Sequence, residues 1–304
     1  MRIGIFGGAV NDGEIDAVIS DARSAEADGF DTYWSSQIFG LDTLTTLALV
    51  GRETSTIKLG TSVVPTYPRH PMMLAQQALT TQAACGGRLT LGIGPSHQIV
   101  IQGMYGMDYS KPAQHTEEYL QIVGTLSRGE PVSFRGKQLS ANGALTVKGA
   151  IPFPIVVAAL GPRMLEIAGR LSDGTLTWCV GPRTLAEHTV PTITASAEKA
   201  GRAVPRIICA LPVCVTEDTT GAYERASEMF AIYAQLPAYR AMLDREGVKI
   251  AADLAITGAD GEVHDRIAAL ADAGVTEFGA VEFGVTPDER ARTREVLKTL
   301  ARSA

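Results

Sequence analysis

The stretch TLGIGPSH, Thr90 to His97, delivers a histidine just past an apolar run and a glycine-rich turn. An imidazole placed there titrates near neutral pH and can act as a general acid or base. The five histidines, at 70, 97, 115, 188 and 264, form no HxH or HExxH, so no metal centre is expected from their spacing. No GxSxG nucleophile elbow occurs. GIGPSH fails as a dinucleotide fingerprint, because its last position is His97 and Pro95 blocks a direct run into a helix. IFGGAVNDG, Ile5 to Gly13, has the wrong glycine spacing. In AALGPRML, a strand over Ala159 and Leu160 ends, Gly161 and Pro162 turn the chain, and a helix begins. The free N–H groups at such a start favour an anion, and Arg163 adds a formal charge. LGTSVVPTYP carries a polar Thr61-Ser62 pair into a loop with two prolines. YWSSQIF sets Gln37, a potential hydrogen-bonder, between the aromatic residues Trp34 and Phe39.

These residues need a frame. β-rich runs at Arg2–Phe6, Thr32–Ser35, Ile57–Val63, Leu89–Ile93, Ile155–Ala159, Thr175–Cys179, Arg206–Val215 and Glu277–Phe283 alternate with helical stretches. Ile15, Val18, Ile19 and Ala22 form one helical stripe, and Tyr119, Ile122, Val123 and Leu126 another. Pro71, Pro112 and Pro182 suit first-turn positions, and the last helix, after Pro287, would bury Val296, Leu297 and Leu300. Eight strands with interleaved helices predict a (β/α)8 TIM barrel forming one domain over residues 1–304, with a doubly wound sheet as the structural rival. Surplus length falls after strand 4, where VSFRGKQLSANGALTV predicts a hairpin around Asn142-Gly143. A second surplus precedes strand 8, between Ala234 and Gly258, with no clear strand. Barrel enzymes work at the C-terminal strand ends, which selects the segments just named.

Apolar residues make up 45% and charged residues 20% of 304, enough for a sizeable core. The net charge of −6 argues against nucleic acid as a partner. MRIGIFGG enters a strand at once, and the apolar runs are too short to span a bilayer, so a soluble cytoplasmic protein is expected. Cys85, Cys179, Cys209 and Cys214 form no CxxC pair and read as small buried hydrophobes.

Taken in order, YWSSQIF, KLGTSVVPTYPRHP, GRLTLGIGPSH, PIVVAALGPRMLEIAGRLSDGTLTW and AGVTEF resemble the luciferase-like (β/α)8 family, and within it the oxidoreductases that use the deazaflavin coenzyme F420. The resemblance implies a non-proline cis peptide joining Ser62 to Val63 beneath the cofactor ring. It puts Gly94, Pro95 and Ser96 along the cofactor, and Ala159, Leu160, Gly161, Pro162 and Arg163 at its phosphate. Thr61 falls in the same cofactor-binding set. His97 matches a glutamate thought to transfer a proton in sugar-phosphate dehydrogenases of the family. Where those relatives often carry Asp-His this chain has Gln37-Ile38, so sugar-phosphate activity does not carry over, and Gln37 is assigned to hydrogen-bond cofactor or substrate. Trp34, Phe39 and Trp178, with Tyr105, give the substrate pocket an apolar character. The expected reaction is hydride transfer between F420 and a small organic molecule with an activated C=C, C=O or imine, in a homodimer. The alternatives are an FMN-dependent monooxygenase of the same fold and a non-catalytic cofactor-binding barrel. A nicotinamide dehydrogenase is a further rival that lacks its fingerprint. The two cofactors divide on oxygen, with which reduced flavin reacts and deazaflavin does not.

Overall fold

The computed structural model describes residues 1–8 and 13–303. Within the glycine-bearing Ile5–Gly13 stretch, residues 9–12 lie outside the described residues.

Eight parallel strands close into a barrel: β1 (Arg2–Phe6), β2 (Thr32–Ser35), β3 (Lys58–Thr61), β4 (Leu89–Gly94), β5 (Ile155–Val157), β6 (Gly174–Trp178), β7 (Arg206–Val215) and β8 (Glu277–Glu282). Closure runs through β8 and β1, where Arg2 pairs with Glu277 and Gly4 with Gly279. An open doubly wound sheet is thereby set aside. The third predicted strand, Ile57–Val63, is shorter than expected. It stops at Thr61 and resumes as Val64–Pro65, which pairs with Ile93 and Gly94.

Side-chain size explains how the barrel interior fills. Trp34 on β2 lies opposite Gly60 on β3. A Cβ at Gly60 would fall 2.3 Å from the indole, and one at Gly4 on β1 would fall 2.9 Å from its Nε1. Both flanking strands therefore yield their side-chain space to one large ring. Trp34 packs there with Val156, Leu176 and Ile208, with Phe6 and Val63 alongside. Its Nε1 donates to Glu277 Oε1 at 2.8 Å, and Arg206 Nη2 meets the same buried carboxylate at 2.8 Å. A charge withdrawn from water needs such partners.

The outer layer follows the predicted stripes. Tyr119, Ile122, Val123 and Leu126 are fully buried on the helix Pro112–Ser127. Val18 and Ala22 are buried on Ile15–Asp28, while Ile15 itself stays 41% exposed at the helix start. Pro71, Pro112 and Pro182 all occupy first-turn positions. On the last helix, Pro287–Ser303, Leu297 is buried, and Val296 and Leu300 pack partly against the core. The four cysteines are free and buried.

Two expectations about the surplus segments need correction. The hairpin forms from Val132–Arg135 and Ser140–Gly143, yet Asn142 and Gly143 pair within it, opposite Ser133 and Val132. The chain reverses instead at Gly136–Leu139. There the Glu118 carboxylate, from the preceding helix, accepts the backbone N–H groups of Lys137, Gln138 and Leu139 at 2.8–2.9 Å. Burial works against ionisation of Glu118, but these donors outweigh it and hold the carboxyl below its usual range. A tertiary anchor thus overrides the local Asn-Gly signal. The second surplus does contain a strand: Ile256–Gly258 extends the sheet beside Val213–Val215, after the helix Pro237–Glu246.

Candidate active site

The C-terminal strand ends bring three of the predicted segments together. Ser62 N–H donates to Ser35 O at 2.8 Å, and the Ser62–Val63 peptide is cis. Thr61 Oγ1 donates to Gly92 O at 2.7 Å and accepts from Gly92 N at 2.8 Å, locking β3 to β4 in the buried layer below. A Cβ on Gly94 would lie 2.9 Å from Val63 Cγ2 and 3.1 Å from Ala158 Cβ. Val63, Gly94 and Ala158 therefore meet at one spot, and the absence of a side chain on Gly94 is what lets them.

Past Ala158, the chain turns at Leu160 and Gly161 into the helix Pro162–Leu171. Gly161 is its N-cap, makes no side-chain capping bond, and has open space where a Cβ would stand. The His188 ring donates from Nε2 to Leu160 O at 2.9 Å and so fixes the approach to the turn. Arg163 is 68% exposed in its side chain and lies 3.5 Å from Glu117. This donor set suits a phosphate, since uncapped N–H groups at a helix start favour an anion.

Just past β4, Pro95 and the positive-φ Ser96 (φ 62°) lead to His97, whose imidazole makes no capping bond to the short helix that follows. Tyr109 holds the loop by donating from its hydroxyl to Ser96 O at 2.8 Å. Burial lowers the His97 pKa below 6.5, so the imidazole is mostly neutral at pH 7. Its ring centroid stands 5.9 Å from that of Tyr239.

The remaining predicted residues are placed less simply. Trp34 is fully buried in the barrel interior and cannot line an open substrate pocket, which corrects that expectation. Gln37 accepts the Thr43 N–H at 2.9 Å, so its amide oxygen is engaged at a helix start while its amide nitrogen is left for a ligand. Phe39 is 60% and Tyr105 44% exposed. Trp178, half-buried, faces Phe230 and Tyr233. Tyr233 and Tyr239 escape the sequence reading, because AIYAQLPAYR shows no period to orient them. Among the described residues no cluster of three His, Cys, Asp or Glu side chains could hold a metal, and no helix is long and apolar enough to cross a membrane.

Beneath the loop after β3, His115 stacks on Tyr67 with centroids 3.9 Å apart, and its Nε2 lies 3.1 Å from Thr66 Oγ1. Burial pushes its pKa down to about 4. The folded protein holds this ring neutral, whereas an unfolded chain protonates it near 6.5. Its contribution to stability is therefore complete above pH 6.5 and is lost as pH falls toward 4, by roughly 3 kcal/mol in all. Urea midpoints measured from pH 7 to 4.5 should fall less steeply in His115→Gln than in the parent protein; parallel curves would contradict this.

Residues 1–282 match the luciferase-like monooxygenase family, to which the chain therefore belongs. The 5,10-methylenetetrahydromethanopterin reductase of Methanolobus tindarius is 32% identical over 281 residues, covering 91% of this chain and 85% of that protein. A provisionally named coenzyme F420-dependent oxidoreductase of Mycobacterium tuberculosis is 30% identical over 69% of this chain and 65% of its own length. Both names are those of oxidoreductases, and the second relative is named for coenzyme F420. The coenzyme F420-dependent tetrahydromethanopterin reductase of Methanopyrus kandleri shares the fold, with a TM-score of 0.80, 23% identity, and coverage of 99% of this chain and 98% of that one.

Proposed function

We propose that the protein transfers a hydride between coenzyme F420 and a small organic substrate carrying an activated C=C, C=O or C=N bond. The observation that carries this reading is the convergence of Val63, Gly94 and Ala158 beside an uncapped helix start and a half-buried, neutral histidine. Bound there, F420 supplies a hydride-carrying carbon at its central ring. Thr61, Ser62, Val63, Gly94, Pro95 and Ser96 would hold the ring, and Ala159 to Arg163 the phosphate. The His97 imidazole gives up or accepts the accompanying proton, and the Gln37 amide nitrogen orients a polar ligand group. A cytoplasmic homodimer acting on a small molecule completes the reading.

The family's monooxygenase members make FMN chemistry the second reading. The two separate when purified protein is titrated with each cofactor and oxygen uptake by the reduced complex is followed. We expect one F420 per chain, no retained FMN and no oxygen uptake. Tight FMN binding with substrate-dependent oxygen consumption would overturn the proposal.

A further inference from the structure

Six aromatic rings run in succession across the C-terminal mouth, and most belong to segments with no role so far. From His97 the next ring is Tyr239 at 5.9 Å, followed by Tyr233 at 4.9 Å and Trp178 at 5.9 Å. Behind them Phe230 lies 5.5 Å from Trp178, and Phe283 lies 6.2 Å from Phe230. The first four are partly exposed, whereas Phe230 and Phe283 are buried, so the row has a solvent-facing front and a packed back. Its members come from the ends of β4 and β6, from just past β8, and from the stretch between β7 and β8.

The row carries no charge near neutral pH. Burial pushes the Tyr233 phenol up to about 12, raises the Tyr239 phenol well above its ordinary value, and lowers His97. Arg240, next to Tyr239 in the chain, is engaged with Asp244 and with the carbonyl oxygens of Val248 and Lys249. Arg183, in the helical turn Pro182–Thr184, pairs with Glu187. An anion brought against these rings would lose water and gain only neutral O–H and N–H donors, with no cation to offset its charge, whereas a flat neutral π-system would gain stacking.

We infer that Tyr239, Tyr233 and Trp178 form the substrate wall, and that they select uncharged, planar substrates in which the reducible double bond is conjugated to an aromatic ring. The inference deepens the proposed hydride-transfer reading and rests on it for the identity of the reacting bond.

The chain has two tryptophans, so its 15N spectrum holds two indole signals, which Trp178→Phe assigns. The full-length protein is titrated with 4-phenylbut-3-en-2-one and with its para-carboxylate analogue, with and without F420. The Trp178 signal should move saturably with the neutral ketone while that of Trp34 stays still. The carboxylate should bind about tenfold more weakly. Tyr239→Leu should raise the ketone Kd about five- to tenfold, and Tyr239→Phe by no more than about twofold. A silent Trp178, equal binding of the two probes, or an unaltered Kd in Tyr239→Leu would overturn the inference. If F420 fails to bind while Trp178 still responds, the proposed cofactor falls and the wall stands; F420 bound with Trp178 silent is the reverse.

Discussion

His97→Ala should lower turnover with F420 by about 10²–10³-fold and leave the Kd for the cofactor within about twofold. The expected split follows from the placement of the ring. The imidazole caps no helix and faces Tyr239 across the mouth, so its removal leaves the fold and the Gly94–Ser96 loop intact. The pH profile supplies a sign. Because burial lowers the His97 pKa below 6.5, protonated imidazole is scarce at pH 7. In the reducing direction, where it donates, the rate should rise as pH falls toward that lowered pKa. In the oxidising direction, where the neutral ring accepts, the rate should stay flat above it. The alanine variant should lose both dependences. A non-catalytic barrel would show neither, and unchanged turnover in His97→Ala would remove the histidine from the mechanism.

The second large effect is on stability. Trp34→Ala should cost about 3–5 kcal/mol from the cavity alone, with a further ~1 kcal/mol because Glu277 loses the indole donor. Gly4 and Gly60 cannot refill the space, since neither has a side chain to move into it. Trp34→Phe retains most of the volume and should fall between the alanine variant and the parent. Denaturant midpoints measure both. A loss below about 1 kcal/mol in Trp34→Ala would show that the barrel interior collapses around the gap, contrary to the packing described.

Much of the frame was legible because each barrel strand reads as a short β-rich run between helical stretches. The proline positions fixed helix starts for the same local reason. What escaped depended on partners distant in sequence. Asn142-Gly143 carries a strong turn signal, but Glu118 places the reversal at Gly136–Leu139 by binding three backbone N–H groups there. Trp34 reads equally well as pocket or core, and the glycines that yield it space, Gly4 on β1 and Gly60 on β3, decide the matter. Gln37 was legible as a polar residue at a strand end, yet its bond to Thr43 N depends on where the next helix starts. The segments around Ser62, Gly94 and Gly161 stood out by their turn chemistry. Tyr233 and Tyr239 did not, because a 3₁₀ turn and a short helix place them against the mouth without any sequence period.

The most direct measurement is a crystal structure of the protein with oxidised F420. The account predicts the deazaflavin ring beside Val63 and Gly94, the phosphate at the helix start around Gly161, and free space between the ring, His97 and Tyr239. F420 found elsewhere on the barrel, or its phosphate away from the Leu160–Arg163 turn, would contradict it.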